Sequence, residues 1–263
     1  MATTIAVLSQ KGGTGKTTTV RSLADIFGRL GLDVLAVDLD PQGNLSSYFD
    51  VPLEASPTIA DVLTFRAAAD RAVHGAVIPA NQRLAAAELE LRGSRHATLK
   101  TRLRDVARLY DIVLIDCAPS RGLLTINALV ASDHALVTTN AQYFSLQGVE
   151  QMLDMIELTR EDLNPRLTWL GVVMNIADLR TLHSRAVLAT LREHFGAQVF
   201  ETVIRQSIRY AESTQHGTPI IDYSPRVGAD YLALADELLD RLDLPESREA
   251  LGALRGALAP PAH

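Results

Sequence analysis

One glycine-rich segment near the start of the chain constrains its fold more than any other feature. It reads Lys11-Gly12-Gly13-Thr14-Gly15-Lys16-Thr17-Thr18. The preceding run, Thr3–Ser9, is short, apolar and rich in β-branched residues, which predicts a strand. Apolar residues after the segment recur at helical spacing; they are Val20, Leu23, Ala24, Phe27 and Leu30. A strand, a glycine loop and a helix in this order are typical of a phosphate-binding loop.

The segment contains the residue types that bind nucleotide phosphates. Its glycines allow backbone N–H groups to converge on phosphate oxygens, and the N-terminus of the following helix favours anions. Lys16 is expected to reach the β- and γ-phosphates, and Thr17 to ligate Mg²⁺. The common pattern G-x-x-x-x-G-K-[ST] would place a glycine where this chain has Gln10, so the loop is a variant.

The alternation of strands and helices continues along the chain. Further strands are predicted at Asp33–Asp38, Asp111–Asp116, His134–Asn140, Thr168–Asn175 and Val199–Ile204. Continuous apolar strands separated by helical segments predict an α/β fold of the P-loop NTPase type, with a mostly parallel twisted sheet flanked by helices on both faces. Residues 50–100 are expected to form short helices. One domain is expected over residues 1–242, followed by a loosely ordered tail over 243–263.

Acidic and amide side chains at predicted strand ends are further site candidates. Because the carboxyl ends of parallel strands meet at one sheet edge, Asp40 can orient or activate water there. Asp38 and Asp116 are candidates for supporting Mg²⁺. Acids at a strand end can also simply cap the next turn. Asn175 is a candidate for adenine contact, or alternatively a turn former.

Composition limits the classes of function. A formal net charge of −6 argues against coating nucleic acid through overall charge, so any DNA binding must be regional. Cys117 is the only cysteine, which excludes an internal disulfide and a multi-cysteine metal site within one chain. The sequence has no run of 18 apolar residues and no basic region before its first apolar stretch. These features predict a cytoplasmic protein without membrane association.

Several motifs resemble those of one family. The segment from Lys11 to Thr18 resembles the deviant Walker A motif of the ParA/MinD ATPases, and Asp38–Asn44 resembles their second signature. Asp116-Cys117-Ala118-Pro119-Ser120 is similar to the family's D-C-P-P-S segment, with Ala118 in place of the first proline. Leu123–Leu129 and Gln142–Gly148 also resemble ParA segments.

The resemblance implies an ATPase that uses ATP and Mg²⁺ and forms an ATP-sandwiched homodimer. In that dimer, the lysine matching Lys11 reaches the partner's nucleotide, and the residue matching Asp40 is needed for hydrolysis. Lys11, Lys16 and Asp40 are therefore the expected catalytic residues. ParA proteins bind nonspecific double-stranded DNA, and a ParB-like partner triggers hydrolysis and release.

Three arginines are candidate DNA contacts. Between Arg166 and Arg226, seven arginines face five acids, a local charge of +2. Val203–Arg209 resembles the small chromosomal, Soj-like pattern, in which the arginine matching Arg209 contacts DNA. Arg180 occupies a similar place with different spacing. Arg205 replaces the family's usual proline, so it could add a DNA contact or disturb the adenine side. Each arginine could instead be an unpartnered surface residue.

The sequence fits two other classes of function less well. A MinD-like membrane ATPase needs a basic amphipathic C-terminal helix, whereas seven acids outnumber three arginines after Gly228. A metabolic synthetase needs a substrate pocket that no motif identifies, and one cysteine cannot support a four-cysteine cluster in a homodimer. The first predicted strand begins at Thr3, so no preceding helix-turn-helix is expected. The prediction is a nucleoid-associated ParA-type ATPase that moves a chromosome, a plasmid or another cargo.

Overall fold

A computed structural model, which describes residues 2–91, 95–141 and 145–258, contains one seven-stranded sheet. Its strands are β1 (Thr3–Leu8), β2 (Val34–Leu39), β3 (Val77–Ile78), β4 (Ile112–Cys117), β5 (His134–Asn140), β6 (Thr168–Ala177) and β7 (Val199–Arg205). The spatial order is β3-β2-β4-β1-β5-β6-β7, and every neighbouring pair is parallel. All carboxyl ends of the strands therefore lie at the same edge of the sheet.

Helices connect the strands and cover both faces of the sheet. They are α1 (Lys16–Arg29), α2 (Asn44–Tyr48), α3 (Ile59–Leu63), α4 (Arg83–Glu90), α5 (Thr98–Ala107), α6 (Leu123–Ala131), α7 (Ser145–Asp162), α8 (Leu182–Phe195), α9 (Arg209–Gln215), α10 (Ile220–Tyr223), α11 (Pro225–Arg241) and α12 (Pro245–Leu258). Helices α3–α8 pack on one face, and α1, α2 and α9–α12 on the other. The predicted α/β class, with a sheet flanked on both sides, is confirmed.

Alternating side chains of each strand enter two separate cores. In β2, Leu35 and Val37 belong to the core beneath α3–α8, whereas Val34 and Ala36 belong to the core beneath α1 and α11. Burial on both faces explains why most strands are largely apolar and lack polar alternation, whereas β7 at the sheet edge carries the exposed Glu201. The described residues between 50 and 100 form the expected short helices and also a strand, β3, whose two residues are too few to give a periodic signal.

The C-terminal segment is more ordered over residues 245–258 than the sequence suggested. Leu251 of α12 is fully buried in the core of the α11 face. Arg255 donates to the Leu232 carbonyl at 2.7 Å, and Arg248 pairs with Asp236 at 3.0 Å. The leucines are spaced for one helical face, which lets a short alanine-rich segment pack on α11. Residues 259–263 lie outside the described residues. Within the described ranges, no helix has the length and apolar character needed to cross a bilayer.

Candidate nucleotide site and arginine cleft

The glycine-rich loop lies between β1 and α1, at the carboxyl edge of the sheet. Gly13 and Gly15 have φ angles of 72° and 81°, in the left-handed region that glycine adopts readily. A Cβ on Gly15 would also lie 2.8 Å from the side-chain nitrogen of Asn175. Helix α1 starts at Lys16 with no acid in its first turn, which leaves its N-terminal N–H groups suited to an anion.

Lys16 is held inside the loop by a residue that the sequence motifs did not single out. Its Nζ donates to Ser9 Oγ at 2.8 Å, and Ser9 Oγ donates to the Lys11 carbonyl at 2.7 Å. Burial lowers the pKa of Lys16, while Asp116 and Asp40 oppose this change. Lys11 itself is exposed on the loop. In the sequence, Ser9 is simply the last residue of a predicted strand. Only its position beside the Lys16 ammonium shows that it belongs to the site.

Asp116 and Asp38 occupy the same level of neighbouring strands, β4 and β2. Asp116 Oδ2 accepts a hydrogen bond from Thr17 Oγ1 at 2.7 Å, whereas Oδ1 is buried without a hydrogen-bond partner among the described residues. Burial, and secondly the Asp38 carboxylate, raise the pKa of Asp116 to about 8. A buried carboxylate oxygen without a donor, next to a threonine hydroxyl, fits the oxygen ligands that Mg²⁺ prefers.

The Asp38 carboxylate is already engaged by the protein. Its Oδ2 accepts from Ser46 N at 2.9 Å and Ser46 Oγ at 2.7 Å, and its Oδ1 accepts from Asp40 N at 3.1 Å. Burial raises the pKa of Asp38 to about 6, although these hydrogen bonds act to lower it. Asp40 is half-buried and accepts from Gln42 N at 2.9 Å. Asp38 thus fixes the start of α2 and the backbone of Asp40.

Asn175 borders the site from beneath the loop. Its Nδ2 donates to the Thr14 carbonyl at 2.9 Å and to Thr19 Oγ1 at 3.1 Å, and the side chain is fully buried. The amide that the sequence suggested for adenine therefore binds the phosphate loop and α1 through its NH₂ group. Ile176, the next residue, has φ 54°, a strained conformation for a β-branched side chain.

This strain belongs to a bulge in β6. Met174 and Ala177 pair with Val203 and Arg205, so three steps on β6 oppose two on β7. The bulge lets Asn175 point beneath the loop while Ile176, 38% exposed, borders the open cleft above it.

A cleft of about 850 Å³ is bordered by part of the predicted nucleotide site, including Asn175. One end is bordered by Gly12–Thr18 and Asp40. The other end is apolar, with Ile176, Ile204 and Ile208 in its wall. A polar end with backbone N–H donors and an apolar end fit a phosphorylated ligand that also carries a flat apolar group.

The candidate DNA arginines do not all lie together. Arg180 and Arg205 border a second cleft of about 780 Å³, together with Arg226, whereas Arg209 is outside it at the start of α9. The sequence motifs did not single out Arg226. It is exposed and has no ion pair within the described part of the chain.

The other three arginines each have an acidic partner. Arg180 pairs with Asp178 at 2.9 Å, Arg209 with Glu212 at 2.9 Å, and Arg205 with Asp230 at 2.7 Å. Exposed pairs of this kind are weak, so the arginines can exchange the acid for a phosphate. The Arg205 pair is the firmest, because its guanidinium contacts both carboxylate oxygens and the Asp230 side chain is only 11% exposed.

Cys117 lies at the end of β4 beside Asp116. It is 1% exposed, and burial raises the pKa of its thiol far above the usual range. The side chain packs in the core on the α6 side, as small buried residues do. Of the segment Gln142–Gly148, residues 142–144 lie outside the described residues.

Comparisons with known proteins agree with this geometry. A family model described as an AAA domain matches residues 2–169. The Bacillus subtilis sporulation initiation inhibitor protein Soj is 39% identical over 249 residues, covering 90% of this chain and 98% of Soj. The Thermus thermophilus chromosome-partitioning ATPase Soj is 41% identical over 248 residues, covering 90% and 96%.

A solved structure of similar fold is cobyrinic acid a,c-diamide synthase from Mycobacterium smegmatis with bound ADP and magnesium. It is 32% identical, with a TM-score of 0.81, and covers 92% of this chain and 96% of the synthase. The chain has a P-loop at the edge of a parallel sheet, and it is about 40% identical to two Soj proteins over nine-tenths of its length. This chain belongs to the ParA/Soj family of P-loop ATPases.

Proposed function

We propose that this protein is an ATPase that dimerises on binding Mg–ATP, binds DNA nonspecifically and segregates a chromosome or plasmid with a ParB-like partner. The phosphate loop carries most of this proposal, because Lys16, Thr17 and Asp116 meet there at one sheet edge. Hydrolysis of ATP to ADP and phosphate at this edge is the chemistry that the residues support. The cargo could equally be another large assembly, since the ATPase site is the same.

The nucleotide would bind with its phosphates on the backbone N–H groups of Gly12–Thr18 and its base at the apolar end of the cleft. Asn175 supports this arrangement through the loop. Thr17 and Asp116 would hold Mg²⁺, which bridges phosphate oxygens and offsets their charge. Asp38 would act indirectly, because Ser46 and Asp40 already occupy its oxygens.

Asp40 is the proposed residue for positioning the attacking water. It borders the same cleft as the loop, and its backbone is fixed by Asp38. Lys11 is exposed at the mouth of the loop, where a lysine can reach a second protomer. These positions support the sandwich dimer that the family resemblance implies.

DNA contact is proposed for Arg180, Arg205 and Arg209. All three are exposed near the carboxyl edge of β6 and β7, and their acidic partners are single carboxylates that a polyphosphate backbone can outcompete. Phosphate contacts alone would give little sequence preference and strong sensitivity to salt. The protein would then be associated with the nucleoid in its ATP state.

A second candidate function follows from the Mycobacterium smegmatis comparison. If this protein acted like the synthase, ATP consumption would depend on a small-molecule substrate and would be indifferent to duplex DNA. The two candidates therefore separate in a single assay of ATP turnover with and without DNA.

The decisive experiment is co-sedimentation with nonspecific duplex DNA in ATP, in ADP and without nucleotide, at low and moderate salt. ATP should promote binding, and Arg209→Ala should weaken it and reduce the dependence of log K on log salt by about one ion. Arg108→Ala is a matched control, since this exposed arginine also pairs with an acid one helical turn away but lies near the opposite sheet edge. Absence of DNA binding in every nucleotide state would refute the proposal.

A further inference from the structure

The short helix α2 begins directly after the Asp40 turn and is anchored to the nucleotide site. Ser46 donates both its N–H and its hydroxyl to Asp38, and its Oγ accepts from Ala80 N at 2.8 Å. Gly43, directly before the helix, has φ 66°, and a Cβ there would lie 2.9 Å from the Ala80 carbonyl. The first turn of α2 therefore moves only together with the acidic edge of the sheet.

The last residue of α2 contacts α9, the helix that starts with Arg209. Tyr48 is 8% exposed, and its hydroxyl donates to the Tyr210 carbonyl at 3.2 Å. The ring of Tyr210 also packs edge-on with the ring of Tyr231, with centroids 5.6 Å apart. Tyr231 in turn lies 3.3 Å from Thr19 Oγ1 of α1.

A second contact joins the two segments beyond the far end of α9. Gly217 has φ 60°, and a Cβ there would lie 2.7 Å and 2.9 Å from the two carboxylate oxygens of Asp50. Asp50 follows α2 by two residues. The segment containing α2 therefore touches α9 near its start and just after its end.

We infer that α2 transmits the nucleotide state of the Asp38–Asp40 edge to α9, with Tyr48 as the positioning residue. This inference rests on the proposed function in one respect, that ATP and ADP occupy the cleft differently. Only three residues separate the Ser46 anchor from Asp50, so α2 has little freedom to absorb a displacement. A shift at Asp38 then repositions α9 and, with it, the guanidinium of Arg209.

Tyr48→Phe tests the inference because it removes the hydroxyl and keeps the ring. Hydrogen–deuterium exchange of residues 209–217 in the full chain should differ between saturating ATP analogue and saturating ADP, each with Mg²⁺. The variant should reduce this difference about twofold to tenfold, the range expected for one neutral hydrogen bond. Tyr110→Phe, which removes a hydroxyl near the amino-terminal edge of β4, should leave the difference unchanged.

The same samples separate this inference from the proposed function. If α9 of the wild-type protein exchanges identically in both nucleotide states, or Tyr48→Phe responds like the wild type, the inference is overturned. If α9 responds through Tyr48 but no state binds DNA, the inference stands and the partitioning function fails. If both hold, the ratio of DNA affinities in ATP analogue and ADP should fall in Tyr48→Phe by a factor similar to the exchange effect.

Discussion

Only one of the two carboxylate oxygens of Asp116 accepts a hydrogen bond from the described residues. Thr17 donates to Oδ2, whereas Oδ1 is buried without a donor in the described part of the protein. Burial disfavours the ionised form, so the folded protein binds a proton at Asp116 over a pH range in which the unfolded chain does not. This residue therefore destabilises the nucleotide-free protein increasingly as the pH rises from about 4, the pKa of Asp116 in the unfolded chain, to about 8, its pKa in the folded protein.

Asp116→Asn should remove this dependence, because an asparagine side chain does not titrate. At pH 8 the nucleotide-free variant should melt several degrees above the wild type, since each kcal/mol is about 2–4 °C in a protein of this size. Below about pH 4 the two should melt almost together, because residue 116 is then neutral in both the folded and the unfolded forms of both proteins. The variant should also lose the stabilisation that Mg–ATP gives the wild type. Differential scanning fluorimetry across pH measures both effects.

Asp105→Asn is the control for that experiment, because the Asp105 side chain is 93% exposed and its contact with Arg108 is long, at 4.0 Å. It should leave the pH dependence of melting unchanged. An Asp116→Asn protein with the same pH slope as the wild type would show that the buried carboxylate is ionised without cost.

At the scale of helices and strands, the sequence predicted the elements that have a repeating apolar pattern. It did not predict the features that depend on individual contacts. Six strands were predictable because each is a short, mainly apolar run between helical segments, although Glu201 and Thr202 interrupt the run in β7. The two-residue strand β3 and the bulge at Ile176 have no periodic signature. The strand order was also beyond reach, since it depends on packing of helices from distant parts of the chain.

The candidate site shows the same division. Lys16, Thr17 and Asp116 follow from motif spacing and do meet in the structure. The inward amide of Asn175 depends on the bulge beside it, which no local pattern encodes. Likewise, the Arg205–Asp230 pair joins residues 25 positions apart, on β7 and α11, so no sequence window contains it.

Helix α12 gives a prediction at this scale. Leu251 is completely buried against the α11 face, so Leu251→Ala should lower the free energy of unfolding by about 2–5 kcal/mol. Urea denaturation would measure this change. Leu109→Ala is the control, because Leu109 is 69% exposed and its truncation should cost less than about 0.5 kcal/mol. A cost for Leu251→Ala no larger than that of the control would mean that α12 is not docked in solution.

For the whole molecule, the parallel sheet places the nucleotide cleft and the arginine cleft along one edge. Strands β1, β2, β4, β6 and β7 each lead into a residue of one of these clefts. Gln206, directly after β7, borders both clefts. A nucleotide and a polyanion would thus bind to adjacent surfaces, which suits a protein whose ATP state controls its hold on DNA.

Lys11→Ala tests the proposed assembly. The variant should bind ATP as a monomer yet fail to form an ATP-dependent dimer, because the proposed cross-subunit contact is lost. Sedimentation velocity with and without ATP would measure the mass. Lys100→Ala is the matched control, since Lys100 is the one lysine outside the loop and is exposed on α5. An ATP-dependent dimer of Lys11→Ala would exclude the cross-subunit role.

The single cysteine has a practical consequence for labelling this protein. Cys117 is buried with its thiol held protonated, so thiol-directed dyes should not label the native protein. Any cysteine introduced at an exposed site would then be the sole labelled position. Leu182→Cys, at the 79% exposed start of α8 near the arginine cleft, would carry a fluorophore whose signal comes from one place in the protein.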